Sequence, residues 1–386
     1  MAKRLSCDVV VVGAGMVGAA CALYAARAGL DVRVVDRGAV AGGTTGAGEG
    51  NLLVSDKEPG PELELALLSG RLWASLADEL GAAVEYEPKG GVVVARTPGT
   101  LDALTGFAAD QRAAGVTAEP ASPGELRELE PHLAPGMAGG VRYPQDAQVM
   151  PALAAAHLLR ASGARLHTGR TVTGVLRTAD GAVLGVRTTQ GDIHAPAVVN
   201  AAGTWGGELA ASAGAALPVL PRRGFVLVTE PLPRMVRHKV YAADYVADVA
   251  SDSAALRTSP VVEGTAAGPV LIGASRERVG FDRSLSLRAV RALAVGAIGL
   301  FPFLERVSAL RTYAGFRPYL PDHLPAIGPD PRLPGLYHAC GHEGAGIGLS
   351  TGTGLLIAQG LTGKTPDLDL APFRPERFVP DGGTTR

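Results

Sequence analysis

The chain has 386 residues, of which 47% are hydrophobic and 19% are charged, and its formal net charge at pH 7 is −1. This length predicts two domains, or one large nucleotide-binding domain with an insertion, with enough apolar residues for buried cores. The balanced charge, without basic or acidic blocks, argues against binding to nucleic acid or to an anionic membrane surface.

The cysteines and the apolar runs indicate the compartment. Cys7, Cys21 and Cys340 are odd in number and widely spaced, so they predict no disulfide framework and fit a reducing compartment. The apolar run near the first residue is too short for a signal peptide, and no stretch approaches the length of a membrane span. We therefore expect a soluble, cytoplasmic protein.

The first predicted element is a buried strand of four valines, Val9–Val12, that leads into Gly13-Ala14-Gly15-Met16-Val17-Gly18. A helical pattern follows, and a second strand, Val32–Val35, ends at Asp36. A G-x-G-x-x-G sequence between a strand and a helix, with an acidic residue after the next strand, is typical of an adenine dinucleotide site. This fingerprint alone does not distinguish NAD from FAD.

Each residue of the fingerprint has an expected task. Gly13 permits the tight turn, Gly15 lets the backbone approach a pyrophosphate, and Gly18 lets the helix pack closely on the strand. The pyrophosphate is expected at the N–H groups of the helix start. Asp36 is expected to accept a hydrogen bond from a ribose hydroxyl.

The segment 41–51 is rich in glycine and in hydroxyl side chains. Its backbone N–H groups can wrap a phosphate or the edge of a ring. A plain flexible loop is the alternative. Because the segment directly follows a nucleotide-binding strand, cofactor contact is favoured.

The middle of the chain alternates predicted helices with short strands. Leucines at helical spacing predict a helix over Pro61–Leu80. Ser122, followed by Pro123 and by Glu125, is typical of a capped helix start. The other predictions are a strand over 92–95, helices over 98–114 and Pro151–Ser162, and short strands over 171–194 with a hairpin at Asp180-Gly181.

The remaining segments predict a return to the nucleotide-binding sheet. A buried strand ending in Asn200-Ala201-Ala202-Gly203-Thr204-Trp205 gives a second close approach of backbone to the cofactor. The glycine-rich turn 341–346 is expected to open a last helix that reaches Gly360. The segments between these two are strands over 218–230 and 270–274 in a different sheet, a helix over 285–300, the stretch 310–319, and a strand over Leu336–Cys340.

Taken in order, these segments resemble the D-amino-acid oxidase superfamily of FAD-dependent oxidoreductases, which includes glycine oxidase, sarcosine oxidase and the D-amino-acid dehydrogenases. The resemblance covers nearly the whole chain. The segments that carry it are 9–18 with Asp36, 43–50, 200–205, Pro221-Arg222-Arg223-Gly224, 270–273, Gly315-Phe316-Arg317-Pro318, 325–328 and 341–348.

Two segments, 50–57 and 272–277, resemble one branch more closely. This branch contains the β-subunits of opine oxidase and hydroxyproline dehydrogenase, and the hydrogen cyanide synthase subunit. Its members often pass electrons to a partner subunit. The resemblance therefore leaves O2, a quinone and a partner redox subunit as electron acceptors, and implies a possible hetero-oligomer.

The resemblance implies an α/β fold in which a Rossmann-type, glutathione-reductase-like FAD-binding domain carries an inserted α+β substrate domain on a mostly antiparallel sheet. The implied boundaries are 1–85, 145–217 and 310–378 for the FAD-binding domain, 86–144 and 218–309 for the substrate domain, and 379–386 for a tail.

The resemblance also implies FAD as the cofactor. We expect noncovalent FAD, because Cys340 does not match the cysteine that attaches the flavin in some relatives. The implied cofactor contacts are Gly13, Gly15, Met16, Val17, Gly18, Asp36, Arg37, Thr44, Thr45, Gly46, Gly48, Gly50, Asn51, Val172, Ala202, Gly203, Trp205, Gly341, Gly344, Gly346 and Ile347.

The implied reaction is oxidation of the C–N bond of an amino acid or a secondary amine. Hydride passes from the substrate Cα to flavin N5, and the imine then hydrolyses to an oxo acid. Arg317 matches the arginine that clamps the substrate carboxylate, and a guanidinium suits this task because it forms two parallel charge-assisted hydrogen bonds. A structural ion pair is the alternative role for Arg317.

Other residues near the expected flavin have less defined roles. His342 is expected either to reach the flavin edge or the substrate, or to fasten its turn. Glu343 is expected to be structural or a substrate-side acceptor. Tyr241 and Tyr245 lie near the segment from which relatives supply an active-site tyrosine, so both are candidate substrate contacts.

The sequence is compatible with two alternative functions. One is a catalytic β-subunit that passes electrons to a partner rather than to O2, and a second is a flavin monooxygenase. Ser350 lies in G-x-S-x-G but in a predicted helix rather than at a strand-to-helix corner, so a hydrolase is not favoured. No metal is expected, because Cys340 and His342 have no second pair of ligands at suitable spacing.

Overall fold

The computed structural model describes residues 5–244 and 253–378. Within these ranges the strands are β1 Leu5–Ser6, β2 Val9–Val12, β3 Val32–Val35, β4 Asn51–Leu52, β5 Gly91–Ala95, β6 Glu119–Ala121, β7 Gly139–Tyr143, β8 Ala147–Gln148, β9 Arg165–His167, β10 Val172–Arg177, β11 Val183–Thr188, β12 Ile193–His194, β13 Ala197–Asn200, β14 Leu220–Thr229, β15 Lys239–Ala242, β16 Arg257–Gly264, β17 Val270–Arg276, β18 Ala309–Tyr319, β19 Ala326–Pro329 and β20 Leu336–Cys340. The α-helices are α1 Met16–Arg27, α2 Pro61–Leu80, α3 Pro98–Ala113, α4 Pro123–Leu129, α5 Pro151–Ser162, α6 Gly206–Ser212, α7 Leu287–Leu300 and α8 Ser350–Leu361.

A six-stranded sheet in the order β19-β20-β13-β2-β3-β9 carries the nucleotide fingerprint. All neighbouring strands are parallel except β19 and β20. The valines of β2 are buried on both faces, which is why this strand is apolar without alternation. Helix α1 packs against α5 and α8. At the contact with α8, a side chain at Gly354 would approach the backbone of Ala20 to 2.6 Å, so glycine allows the close packing.

An eight-stranded sheet in the order β18-β14-β17-β16-β15-β5-β7-β6 forms the second large layer. Its neighbouring strands are antiparallel except β15 and β5. The expected strands in a different sheet, 218–230 and 270–274, are confirmed as β14 and β17, which pair here. Smaller sheets join β1, β12, β11 and β10, and β4 with β8.

The strand β18 lies in this second sheet, whereas the predicted boundary at 310 assigned it to the FAD-binding domain. It pairs with β14 from Leu220 opposite Tyr319 to Thr229 opposite Ala309. Backbone pairing along ten residues of β14 holds β18 to the eight-stranded sheet. The division into two domains therefore stays a prediction, and β18 is the element that leads from one sheet to the other.

Several local predictions are confirmed. Helices α2 and α5 have the predicted bounds. Ser122 and Glu125 form a capping box, in which the Ser122 side chain accepts from the Glu125 N–H and the Glu125 side chain accepts from the Ser122 N–H. The hairpin at Asp180-Gly181 joins the antiparallel strands β10 and β11. Among the described residues, no helix is long and apolar enough to cross a membrane.

Candidate active site

A cavity of about 750 Å³ extends from the fingerprint of the six-stranded sheet to the β18 edge of the eight-stranded sheet. Gly13, Gly15 and Asp36 line it beside the six-stranded sheet, and Arg317 of β18 and Glu343 of the turn after β20 line it as well. A volume of this size is within the range of cofactor and ligand sites. The two large sheets therefore share one continuous site.

The turn between β2 and α1 has the close contacts that the fingerprint predicts. Gly13 has φ +116°, and a side chain there would approach Ala201 O to 2.2 Å. A side chain at Gly15 would lie 3.1 Å from Thr45 Oγ1, which itself accepts the Met16 N–H at 2.9 Å. The hydroxyl loop 41–51 thus meets the start of α1, where backbone N–H groups favour an anion.

Asp36 follows β3 and also lines the cavity. Its Oδ2 accepts the Ala14 N–H at 2.7 Å and its Oδ1 accepts the Gly38 N–H at 2.7 Å. These bonds fix the carboxylate, and each oxygen keeps a further lone pair. Beside it, the Arg37 guanidinium lies 3.8 Å from the centre of the Trp205 ring.

Most of the predicted cofactor contacts line the cavity. They are Gly13, Gly15, Met16, Val17, Asp36, Arg37, Thr44, Thr45, Gly48, Asn51, Val172, Ala202, Gly203, Trp205, Gly344, Gly346 and Ile347. Gly18, Gly46, Gly50 and Gly341 are not among the lining residues. A side chain at any of these four would meet a neighbouring atom at 1.8 to 2.4 Å, so they permit close packing around the site. Their roles toward a cofactor stay predictions.

These residues fit FAD on structural grounds. The helix start and the Asp36 carboxylate suit a pyrophosphate and a ribose hydroxyl. The cavity continues past them to the turn before α8 and to β18 of the second sheet, which offers room for the flavin half of FAD.

The turn after β13 is held by a buried polar network. Asn200 Nδ2 donates to Gly206 O at 2.8 Å and lies 3.2 Å from His338 Nδ1. His338 Nε2 lies 3.0 Å from Asp330 Oδ2. Burial raises the pKa of Asp330, but the hydrogen bonds from Arg332 and His338 outweigh burial. The pKa of Asp330 therefore lies below its ordinary value. The network fixes the turn that presents Ala202, Gly203 and Trp205 to the cavity.

Arg317 is positioned by the second sheet. It lies on β18 opposite Arg222 of β14, and its Nη1 donates to Ser275 O of β17 at 2.8 Å. A side chain at Gly224 would approach Arg317 Nη1 to 2.0 Å. The guanidinium therefore occupies space that a glycine leaves open at the cavity wall.

His342 is buried at the cavity wall, with 3% of its surface exposed. Its Nε2 lies 2.9 Å from Thr353 Oγ1 of α8. Burial lowers the pKa of His342 to about 3, so the ring is neutral at physiological pH. This contact supports the expected role of fastening the turn, and a contact with flavin or substrate stays a prediction.

Glu343 is held from two sides. Its Oε1 accepts from Arg222 Nη1, and its Oε2 lies 2.8 Å from His323 Nδ1. Burial raises the pKa of Glu343, but the hydrogen bond from His323 and the charge of Arg222 outweigh burial. The pKa of Glu343 is therefore below its ordinary value. The residue lines the cavity as a fixed, ionised carboxylate.

The two tyrosine candidates are placed differently. Tyr241 is fully buried, and it is not among the residues that line the cavity. Its hydroxyl donates to Ser55 Oγ at 2.6 Å. This position supports a structural role. Tyr245 lies outside the described residues.

The sequence did not identify Glu49, Arg170 and Arg283, which also line the cavity. Glu49 belongs to the glycine-rich loop, where nothing in the pattern indicates which way a side chain turns. Cys340 lines the cavity as well, and burial raises the pKa of its thiol to about 12. A protonated thiol is a weak nucleophile, which agrees with the expectation of noncovalent cofactor binding.

Comparisons with known proteins agree with this site. The sequence model of the DAO family, described as FAD dependent oxidoreductase, matches residues 8–360. The chain is 33% identical to glycine oxidase of Geobacillus kaustophilus over 383 residues, which are 96% of this chain and 97% of that protein. The crystal structure of glycine oxidase from this organism superposes with a TM-score of 0.87 at 30% identity, and covers 97% of this chain and 100% of that chain.

Two further relatives widen the comparison. Hydrogen cyanide synthase subunit HcnC of Pseudomonas aeruginosa is 37% identical over 263 residues, which are 67% of this chain and 59% of that subunit. Iminodiacetate oxidase from Chelativorans sp. BNC1 has a TM-score of 0.81 at 25% identity, and covers 95% of this chain and 99% of that chain. The comparisons favour amine and amino-acid oxidation over the partner-dependent β-subunit and the flavin monooxygenase. The chain belongs to the DAO family of FAD-dependent oxidoreductases, and it is an enzyme that uses FAD to oxidise an amino acid or a related amine.

Proposed function

We propose that the substrate is a small α-amino acid or an N-substituted relative of glycine, and that Arg317 binds its carboxylate. The observation that carries this proposal is that Arg317, on β18 of the second sheet, lines the same cavity as the nucleotide fingerprint of the six-stranded sheet. Its Nη1 bond to Ser275 O fixes the plane of the guanidinium, which can then hold a carboxylate in one orientation. FAD, when bound, supplies the acceptor for the hydride that leaves Cα, and the imine product hydrolyses in water.

The size of the substrate follows from the surroundings of Arg317. Gly344 of the turn before α8 packs beside it, because a Cβ built at Gly344 would lie 3.5 Å from Arg317 Nε. This packing favours a substrate without a large side chain. The relatives glycine oxidase and iminodiacetate oxidase support the same class, since glycine is a small amino acid and iminodiacetate is a small secondary amine.

The test is an anaerobic screen that follows loss of the oxidised-flavin absorbance. The panel contains glycine, N-methylglycine, iminodiacetate, D-alanine, proline and hydroxyproline. We expect bleaching by at least one small member and not by the corresponding acids that lack the amine. Failure of every amine to reduce the flavin would overturn the proposal.

The electron acceptor is a separate proposal. We propose that the reduced enzyme passes its electrons to O2, to a quinone or to a partner subunit, and the likeness to a subunit of hydrogen cyanide synthase is the reason to test the last. The chain is reduced with the best substrate and then mixed with air. Rapid formation of peroxide would identify an oxidase, whereas reduced flavin that persists in air would identify a dehydrogenase that needs a quinone or a partner.

We propose that the predicted cofactor residues that line the cavity bind FAD without a covalent bond. The buried, protonated thiol of Cys340 supports this. Denaturation in acid should release all of the flavin into the supernatant. Flavin that stays with the precipitated protein would contradict noncovalent binding.

A further inference from the structure

A buried carboxylate, Glu49, lies at the cavity wall beside the proposed carboxylate clamp. Only 8% of its surface is exposed, and it lines the cavity. Among the residues that the structure describes, Glu49 Oε1 has no hydrogen-bond partner although it is fully buried. An acceptor in this situation has lost its water without gaining a donor, which is costly unless a ligand supplies one.

The surroundings hold Glu49 in this position. Gly273 of β17 faces it so closely that a side chain there would lie 2.5 Å from Glu49 Oε2. Gly315 of β18 faces the same loop, and a side chain there would lie 2.8 Å from Ala47 Cβ. Two glycines of the second sheet therefore leave room for the loop and its carboxylate at the wall.

Charged side chains of the second sheet surround Glu49. Lys239, Arg317 and Arg276 contribute positive charge, and Glu263 contributes negative charge. However, the Lys239 ammonium bonds to Glu263. Burial raises the pKa of Glu49, because a carboxylate removed from water is less stable when it is ionised. A nearby cation or a proton stabilises such a group.

Glu49 and Arg317 contact the same strand two residues apart. Arg317 donates to Ser275 O, and Glu49 faces Gly273. Both side chains therefore lie against neighbouring positions of one strand, where a small dipolar molecule can place an anion at Arg317 and a hydrogen-bond donor at Glu49.

We propose that Glu49 accepts a hydrogen bond from the substrate amine and thereby selects ligands that carry both an amine and a carboxylate. This inference rests on the proposed function, because it takes Arg317 as the carboxylate site. Arg317 alone would accept any small carboxylic acid. Glu49 weakens the binding of acids without the amine, because such acids leave its oxygen buried and without a hydrogen-bond donor.

The experiment measures ligand binding by the FAD-loaded enzyme from the perturbation of the flavin absorbance. The first pair of probes is 2-aminoisobutyrate, which has no hydrogen on Cα, and isobutyrate, which lacks the amine. Proline under anaerobic conditions and cyclopentanecarboxylate form a second pair for a cyclic secondary amine. The variants are Glu49→Gln, Glu49→Leu and Glu49→Asp, and Glu305→Gln is the control for the same change at an exposed position.

We expect Glu49→Gln to weaken binding of the amine-containing probe about tenfold, because a charge-assisted hydrogen bond becomes a neutral one. Glu49→Leu should weaken it further and should bind the desamino acid as well as, or better than, the wild type. Glu49→Asp should retain part of the preference for the amine, and Glu305→Gln should retain all of it. Flavin content and circular dichroism check that each variant is folded.

The inference and the proposed function fail in different ways. If Glu49→Leu weakens both members of a pair equally, or neither, Glu49 does not recognise the amine and the inference is overturned. If the wild type binds neither pair and no amine reduces the flavin, the proposed function itself is overturned. If Arg317→Met loses binding of both members of a pair and Glu49→Leu loses binding of the amine-containing member alone, the proposed function and the inference are both supported.

Discussion

His342 and Thr353 connect the last glycine-rich turn to the helix that follows it. Thr353 Oγ1 donates its single hydrogen to Leu349 O at 2.9 Å, so it accepts at its contact with His342 Nε2. His342 therefore carries its proton on Nε2 and presents Nδ1 as an acceptor. A histidine fixed in this neutral form holds the turn without acting as an acid near neutral pH.

The first prediction concerns the loss of stability in acid that this buried histidine causes. Burial lowers the pKa of His342 to about 3, while an unfolded histidine titrates near 6.5. Between these values the unfolded state binds more protons, so the free energy of unfolding falls as the pH falls. From about pH 6.5 to about pH 5, we expect His342 to account for a loss of about 2 kcal/mol.

Denaturant unfolding of the FAD-loaded protein at about pH 7 and about pH 5 checks this. His342→Gln should lack this part of the pH dependence, and His132→Gln, at an exposed position, should retain it. The pH profile of flavin reduction should be the same in His342→Gln as in the wild type. An acid limb near neutrality that disappears in the variant would show instead that His342 titrates during the reaction.

The second prediction tests the proposed carboxylate clamp. In Arg317→Lys a point charge replaces the planar guanidinium, so two parallel hydrogen bonds to a carboxylate are lost. We expect kcat/KM to fall by about 10² or more, with flavin content and melting temperature close to wild type. Arg311→Lys on the same strand is the matched control, because Arg311 is exposed and does not line the cavity. Equal kinetics in the two variants would exclude Arg317 as the clamp.

Local patterns in the sequence predicted the backbone arrangement around the nucleotide fingerprint. The fingerprint after β2 and the acid after β3 depend on neighbours within one βαβ unit, so periodicity and spacing are sufficient. The capping box at Ser122 is likewise local. The strand–turn–helix arrangement and the capping box are confirmed, because each is determined within one βαβ unit or one helical turn, while the contacts of these residues with the cofactor stay predictions.

The substrate end depends on contacts between residues that are distant in sequence. Arg317 was identified by resemblance, but its bond to Ser275 O depends on how β18 and β17 are placed around β14. Glu49 escaped notice because its importance depends on Gly273, more than two hundred residues later. The same limit applies to Tyr241, whose hydroxyl meets Ser55 in the core. No local pattern distinguishes such a side chain from one that faces a cavity.

The third prediction concerns the approach of the backbone to the cofactor. A methyl group at Gly15 would lie 3.1 Å from Thr45 Oγ1, close enough to push the hydroxyl loop away from the start of α1. We expect Gly15→Ala to weaken FAD binding by about tenfold or more, while the protein without FAD keeps its melting temperature. Gly106→Ala in α3, where a methyl group meets no atom within 4 Å, is the matched control. Unchanged FAD affinity in Gly15→Ala would contradict the proposed pyrophosphate contact.

The last prediction concerns a buried acid outside the cavity, Asp146. Its Oδ1 accepts the Val54 N–H at 2.9 Å, and its Oδ2 accepts the Ser55 hydroxyl at 2.5 Å. Tyr241 in turn donates to Ser55, so the three side chains form one chain of hydrogen bonds. Burial raises the pKa of Asp146 to about 7, because these hydrogen bonds offset only part of the cost of burying the charged carboxylate.

An acid with a raised pKa destabilises the folded state as the pH rises. Between about pH 4 and about pH 7 the folded protein keeps a proton that the unfolded chain has lost, so the free energy of unfolding falls with rising pH. Asp146→Asn keeps the Oδ1 acceptor but cannot ionise. Relative to wild type, the variant should therefore gain about 1.4 kcal/mol per pH unit across this window. Denaturant unfolding with saturating FAD at about pH 5 and about pH 7 measures the difference. Parallel curves for the two proteins would show that Asp146 is already ionised in the fold, with Val54, Ser55 and their neighbours stabilising its charge.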